Sequence, residues 1–406
     1  MLVGASVSQA ESGGLDPSFG ENGTFTSPAR VGGVVALDYL SSDRFLASLT
    51  RYGDQTNLMA AGYFANSGEI DSDFGLSGEV ISRQTGPSVG TTGQAVAADG
   101  TFYVAGWHGK TFGKKGYVVT RFAENGRAIR EFGDRGTAIG KTGQDIALTG
   151  VAVQRDGKAV ASGGHKITAG RNPAGVIMRF TRNGQPDWSF GKYGVAKFPV
   201  KRRGNSSTAL MDLAVLPNGK IVAAGYSRGR IVAVKLTKNG DRDRSFGGGD
   251  GIVSIPRKSE NDCLVNGWCL DASLDAASNG DVVVLANREG LKQQFVTAQV
   301  VRFTSNGKLR RSFGKRGVAD FGKTVQYGSD VVAKSNGPIV VVGSVGESMG
   351  GIQIRSNGSI DASFGNRGRF RVGGPSIADS VTLQRDGSIT LAGASPDEVK
   401  FARFLP

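Results

Sequence analysis

Cysteine and histidine are nearly absent from this 406-residue chain, which has only Cys263, Cys269, His108 and His165. So few soft ligands argue against a multi-ligand zinc framework, and two histidines leave little scope for chemistry that needs an imidazole base. No run approaches the ~20 apolar residues of a membrane span. No stretch has the length or period of a sizeable helix, and no compositional break marks a second domain. Residues 1–12 are expected to be a leader or tail. Met1 to Ala10 is too short for a signal peptide, although Ser8-Gln9-Ala10 has the small-residue end of one, which suggests a trimmed secreted protein.

Glycine and positive charge are abundant: 63 Gly, and 49 Lys and Arg against 35 Asp and Glu, a formal charge of +14. The glycines are ordered. Phe-Gly recurs seven times, at Phe19, Phe74, Phe132, Phe190, Phe246, Phe313 and Phe364, with gaps of 55, 58, 58, 56, 67 and 51 residues. A glycine stands six residues before every one of them, from Gly13 to Gly358, and this second anchor excludes coincidence. Ser precedes the Phe in five copies and Asp lies three before it in five, so Asp16-Pro17-Ser18-Phe19-Gly20 is expected to form one helical turn capped by Asp. A residue repeated in this way serves the repeat before it serves one site, so these Asp residues are taken as caps and not as catalytic carboxylates.

Between the motifs, short runs alternate apolar and polar residues, as in Val118-Val119-Thr120-Arg121-Phe122. Asp99-Gly100, Asp156-Gly157, Asn218-Gly219, Asn279-Gly280, Asn336-Gly337 and Asp386-Gly387 punctuate them as tight hairpin turns. Each unit therefore reads as four antiparallel strands, and seven units as an all-β, seven-bladed β-propeller spanning 13–406. The last copy ends at Pro406, before its Phe-Gly turn. Gly13 to Phe25 supply the missing turn and outer strand, so the seventh blade is expected to close from both ends of the chain, removing the open edge.

The repeat resembles the delta-60 repeat family, on Asp156-Gly157-Lys158, Asn218-Gly219-Lys220-Ile221-Val222-Ala223-Ala224-Gly225 and Leu15-Asp16-Pro17-Ser18-Phe19-Gly20. The resemblance covers essentially the whole chain. It implies a propeller in a bacterial, often secreted or surface-attached protein, and it brings no general catalytic residues. Ile129 and Arg310 depart from it where the capping Asp would stand, as do Asp73 and Glu131 where Ser would stand.

Cys263 and Cys269 fall in an insertion placed at Ile252 to Ser273 and are read as a short-loop disulfide, with unpaired thiols as the alternative. Gly317-Val-Ala-Asp-Phe-Gly322-Lys323-Thr324 spells a phosphate loop and Gly346-Glu347-Ser348-Met349-Gly350 a nucleophile elbow. Both need a following helix, and both are expected to be followed or occupied by strands. No catalytic residue, metal site or cofactor is expected.

Charge distribution is the functional signal. The loops between second and third strands should share one face, and at 107–116, 164–174, 226–230 and 287–294 they carry nine cations against Glu289. Trp107, His108, Lys114, His165, Lys166, Tyr226, Arg228 and Arg288 are the candidate ligand-binding residues, with Trp107 and Tyr226 as stacking platforms. Arg135, Arg316 and Arg367 make the opposite turns basic as well. The sequence thus points to a secreted or cell-surface, lectin-like binding module for an acidic glycan, cell-envelope polymer or protein, with no membrane span. Nucleic acid fits less well, because few aromatics interleave with the cations. The alternative is a hydrolase or lyase with its centre in the propeller's central channel, which converging carboxylates there would favour.

Overall fold

The computed structural model describes residues 12–406 except 28–30, 52–56, 65–66, 84–88, 110–113, 166–173, 199–207, 228–229, 256–271, 290–295, 336, 376 and 396. The alternating runs pair as expected, into seven four-stranded antiparallel sheets. Blade three is representative, with strands Ile146–Val153, Ala159–His165, Ala174–Phe180 and Val195–Phe198 in order from the axis outward. Among the described residues the only helix is the three-residue turn Thr142–Gln144. The seventh blade comprises Ser380–Leu383, Ile389–Ala394, Val399–Phe404 and, on its outside, Thr24–Ser27 from the other end of the chain. Thr24 pairs with Ala402 and Ser27 with Val399, so the ring closes through a strand borrowed across nearly 400 residues of sequence.

Both faces of each sheet are apolar because each blade lies between two others, and the core is accordingly seven clusters, one at each blade interface. Phe190 of blade three packs with Leu210, Ile221 and Val234 of blade four. At the closure, Phe45 and Tyr63 of blade one meet Phe401 of blade seven, with centroids 5.3 and 4.7 Å from it. All seven Phe-Gly phenylalanines are no more than 2% exposed. Each such burial contributes about 1.5–3 kcal/mol.

The two anchors of the repeat meet across the blade interface. The amide of Gly133, in the Phe-Gly turn of blade two, donates to the carbonyl of Asn183 in blade three at 2.8 Å. Gly184 follows that asparagine at φ +78°, and a Cβ there would lie 2.5 Å from the Gly133 nitrogen. The same contact recurs for Gly75 with Asn125, Gly191 with Asn239, Gly247 with Asn306, Gly314 with Asn357 and Gly365 with Ser12. The glycine six residues before each Phe thus makes room for the preceding blade's turn and not for its own.

The Asp-x-Ser-Phe-Gly segments form turns instead of the expected helical turn. Asp187 Oδ1 accepts from the Ser189 amide at 3.1 Å and the Ser189 hydroxyl at 2.6 Å, while the Phe190 amide returns to the Asp187 carbonyl. Side-chain capping two residues on satisfies the turn without an i to i+4 ladder. The insertion is also shorter than expected. Ile252–Ile255 is the outer strand of blade four and Ala272–Ala276 the inner strand of blade five, so Cys263 and Cys269 lie outside the described residues.

Candidate functional site

Three regions can carry function: the axis, the turn face and the variable-loop face. At the turn face the capping carboxylates are consumed internally. The second oxygen of Asp187 takes Arg179 Nε at 2.8 Å and Lys158 Nζ at 2.9 Å, and the Arg179 guanidinium lies 4.9 Å from the centroid of Phe190. Burial alone would raise the Asp187 carboxyl. Hydrogen bonds from Ser189 and Lys158 and the Arg179 charge instead hold it well below the usual carboxylate range. Asp16 with Arg403 and Asp243 with Lys220 repeat the arrangement.

Blade five reverses it. Arg310 occupies the Asp position, and Asp281, where blades three and four have Lys158 and Lys220, supplies the carboxylate. Asp281 accepts from Arg302 Nε at 2.9 Å and holds Arg310 through both of its oxygens. Blade two replaces the Asp by Ile129, and Arg121 Nε is left buried without a hydrogen-bond partner among the described residues.

Inner strands line the axis. In five of them an extra residue bulges, at Val35, Thr92, Thr149, Met211 and Ser329. A bulge re-aims side chains, here toward the next blade. Thr92 Oγ1 donates to Leu148 O at 2.9 Å and Thr149 Oγ1 to Leu210 O at 2.5 Å. Farther round, carboxylates take over: Asp212 accepts from the Leu274 amide (2.8 Å), Asp275 from Ala333 (2.8 Å), Asp330 from Val381 (3.0 Å) and Asp379 from Val34 (3.0 Å). Gln94 completes the ring by donating to Asp38 at 3.2 Å and to the Leu46 carbonyl at 3.3 Å. Every blade is tied to the next through one of these side chains.

Carboxylates therefore do converge at the axis. Burial pushes Asp38 up to about 7 against the Gln94 hydrogen bond, with the charge of Asp330 adding to the rise. Burial likewise raises Asp212 to about 7 and Asp275 to about 6, opposed by their amide donors and reinforced by Asp330. Among the described residues, no three His, Cys, Asp or Glu side chains are grouped so as to hold a metal ion.

At the variable-loop face the expected loops are shorter than the sequence suggests, because the hairpins stay paired to Gly109 and Lys115, His165 and Ala174, Ser227 and Arg230, and Glu289 and Val296. Trp107 and His108 thus lie on a strand. The Trp107 ring covers Gly90, where a Cβ would come within 2.7 Å, and the ammonium of the buried Lys115 sits 3.6 Å from its centroid. His108 Nε2–H donates to the Gly140 carbonyl at 2.6 Å, and His165 occupies the equivalent strand end in blade three. Lys114 is exposed. Tyr226 is not a solvent-facing platform: it is 2% exposed and packs in the cluster between blades four and five. Lys166 and Arg228 lie outside the described residues, and Arg288 is placed only as part of the strand Val282–Glu289.

The most exposed aromatics among the described residues escaped the sequence reading. Trp188 (75% exposed) and Tyr193 (70%) stand edge to face at 6.3 Å on the Phe-Gly turn of blade three. Aligning the repeats shows the signal, since the Trp188 position holds Pro17, Ser72, Arg130, Arg244, Arg311 and Ala362 in the sister turns.

Neither false motif has its helix: Val318–Asp320 is the outer strand of blade five, and the strand Met349–Ile354 follows Ser348.

Residues 216–246, one repeat from the Asn218-Gly219 turn to Phe246, match the domain of unknown function (DUF5122) β-propeller family. No curated protein sequence matches the chain. Among solved structures, the WD40 β-propeller domain of Doa1 is similar over 93% of this chain and 94% of its own, at 11% identity and a TM-score of 0.52. The Dos1 propeller is 10% identical over 94% of both chains, with a TM-score of 0.49. XC5397 of Xanthomonas campestris, a gluconolactonase, is 12% identical over 93% of this chain and 97% of its own, with a TM-score of 0.39. At such identities the likeness is one of fold.

Proposed function

We propose that this protein is a non-enzymatic binding module, secreted or borne on a bacterial surface, that holds an anionic carbohydrate, envelope polymer or protein against its variable-loop face. The observation that carries this reading is where the acidic groups have gone. The turn carboxylates are paired internally and the axial ones bridge blades, so the cation excess is left to the surface. Lys114 and Arg230 are exposed at the base of two of the cation-rich loops, and the delta-60 resemblance favours an extracellular setting. No helix among the described residues is long and apolar enough to cross a membrane.

The test is binding of a polyuronate or polyglutamate, polyanions that carry only carboxylates, over a salt series. Affinity should fall steeply with ionic strength, since exposed charges are screened beyond ~8 Å at physiological salt. Reversing Lys114, Lys166, Arg228 and Arg288 to Glu should abolish binding, while reversing Arg155, Arg367 and Arg385 on the turn face should not. Equal loss from both sets would replace a site by diffuse basicity. The second reading, a hydrolase or lyase, is favoured by the axial carboxylates with raised proton affinity. Against it, Asp212, Asp275 and Asp330 each already accept a neighbouring blade's amide.

A further inference from the structure

We propose that the turn face carries a second site, independent of the variable loops, at the seam of blades four and five, which takes a tetrahedral oxyanion such as a phosphate or sulfate ester. A cleft of about 1130 Å³ opens on the blade-five side of that seam, lined by Thr304, Lys308, Leu309, Arg310, Arg311, Ser312 and Arg316. Among the described residues, no acidic side chain lines it. An adjoining cleft of about 550 Å³ shares Lys308 and Leu309 and adds Arg244 and the bare backbone of Gly247, Gly248 and Gly249.

Both clefts coincide with departures from the repeat, which mark places where structure alone does not dictate the residue. In four sister turns the serine before Phe spends its hydroxyl on the capping Asp, at 2.6–2.7 Å for Ser18, Ser189, Ser245 and Ser363. Blade five has no such Asp for Ser312, which lines the cleft, and Asp281 holds Arg310 through both of its oxygens. That leaves Lys308, Arg311 and Arg316 as cations not held by this carboxylate, around a hydroxyl donor. Blade four contributes an extra residue, Gly247-Gly248-Gly249-Asp250-Gly251 in place of the usual Gly-x-x-Gly, and a Cβ on Gly248 would meet nothing within 4 Å. Guanidinium forks bind phosphate and sulfate oxygens in pairs, and a donor set spread around a cleft suits an ion with oxygens on all sides better than a planar carboxylate. Blade two has a similar cleft lined by Arg127, Arg130 and Arg135, but Glu131 stands in it where blade five has Ser312.

Calorimetric titration of the full chain with inorganic phosphate, sulfate and acetate tests this. Phosphate and sulfate should bind saturably and acetate at least about tenfold more weakly. Arg311→Ala with Arg316→Ala should weaken both oxyanions by tenfold or more, and Ser312→Ala by a few fold, with melting temperatures unchanged. Arg130→Ala with Arg135→Ala should leave binding intact. A phosphodiester polymer and a sulfated polysaccharide then identify which ester the site takes, and loss of either in the Arg311/Arg316 variant supports the assignment. Undiminished oxyanion binding in that variant, or equal affinity for acetate, overturns it. Because Lys114 lies on the other face, reversing the charges of the Lys114 set should not affect this titration.

Discussion

Arg310 looks like an error in the repeat until Asp281 is seen beside it. Blades three and four use Lys from the hairpin turn and Asp from the Phe-Gly turn, whereas blade five exchanges the signs and keeps the pair. Removing one member of a buried ion pair strands the other, at about 3–5 kcal/mol. Asp281→Lys alone should therefore be severely destabilising, since it faces Arg302 and Arg310 with a third cation. Adding Arg310→Asp recreates the arrangement of blade three and should recover most of the loss, as read from denaturant melts of the two single variants and the double. Absence of recovery would show that the pair does not act as a unit. The sequence shows both substitutions in plain view, but only alignment in space shows that they compensate, because the partners lie 29 residues apart in different turns.

At the level of the element, closure depends on one four-residue strand and the turn before it. Thr24–Ser27 covers the outer edge of the strand Val399–Phe404, and Asp16 and Ser18 satisfy Arg403. Without them that strand exposes unpaired amides and carbonyls, and Arg403 is buried without its carboxylate. Deleting residues 1–27 should lower the melting temperature by more than ten degrees or yield aggregates, as monitored by circular dichroism and light scattering. An unchanged melt would mean that the ring does not rely on the borrowed strand. This element was legible in the sequence, since the missing turn at one end and the spare turn at the other are the same motif. The turn's conformation was not, because Asp, Pro and Ser favour a capped helix start and an Asx-type turn alike, and the choice fell to the Arg403 side chain packed over Phe19 at 4.9 Å.

For the whole molecule, the axial carboxylates set the pH dependence. Their folded proton affinities, about 7 for Asp38 and Asp212 and about 6 for Asp275, lie above the ~3.9 of an unfolded aspartate. Between these values the folded state holds protons that the unfolded state has released, so stability falls as pH rises from about 4 to 7 and the full penalty is present above 7. The turn carboxylates act in the opposite sense. Held below their usual range, they stabilise above pH 4 and lose that contribution as pH falls below it. The melting temperature is therefore expected to peak near pH 4 and to decline up to about pH 7. Asp212→Asn should flatten that decline, raising the melt well above pH 7 by more than it raises it at pH 5. Parallel pH profiles for the two proteins would remove the axial cluster as the cause.

The chain's own order of residues determined the repeat, the strand count, the seven blades and the seam, because a local alternation and a recurrent turn each act over a few residues and recur wherever they are written. Tertiary structure alone decided what those residues do for one another. Gly184 serves the turn of the blade before it, Asp330 bridges blades six and seven, Tyr226 is core and Trp188 is surface. Each of these roles is a contact between blades or a choice between two sides of one sheet. A period of two tells which residues share a side and not which neighbour, or whether water, lies against it.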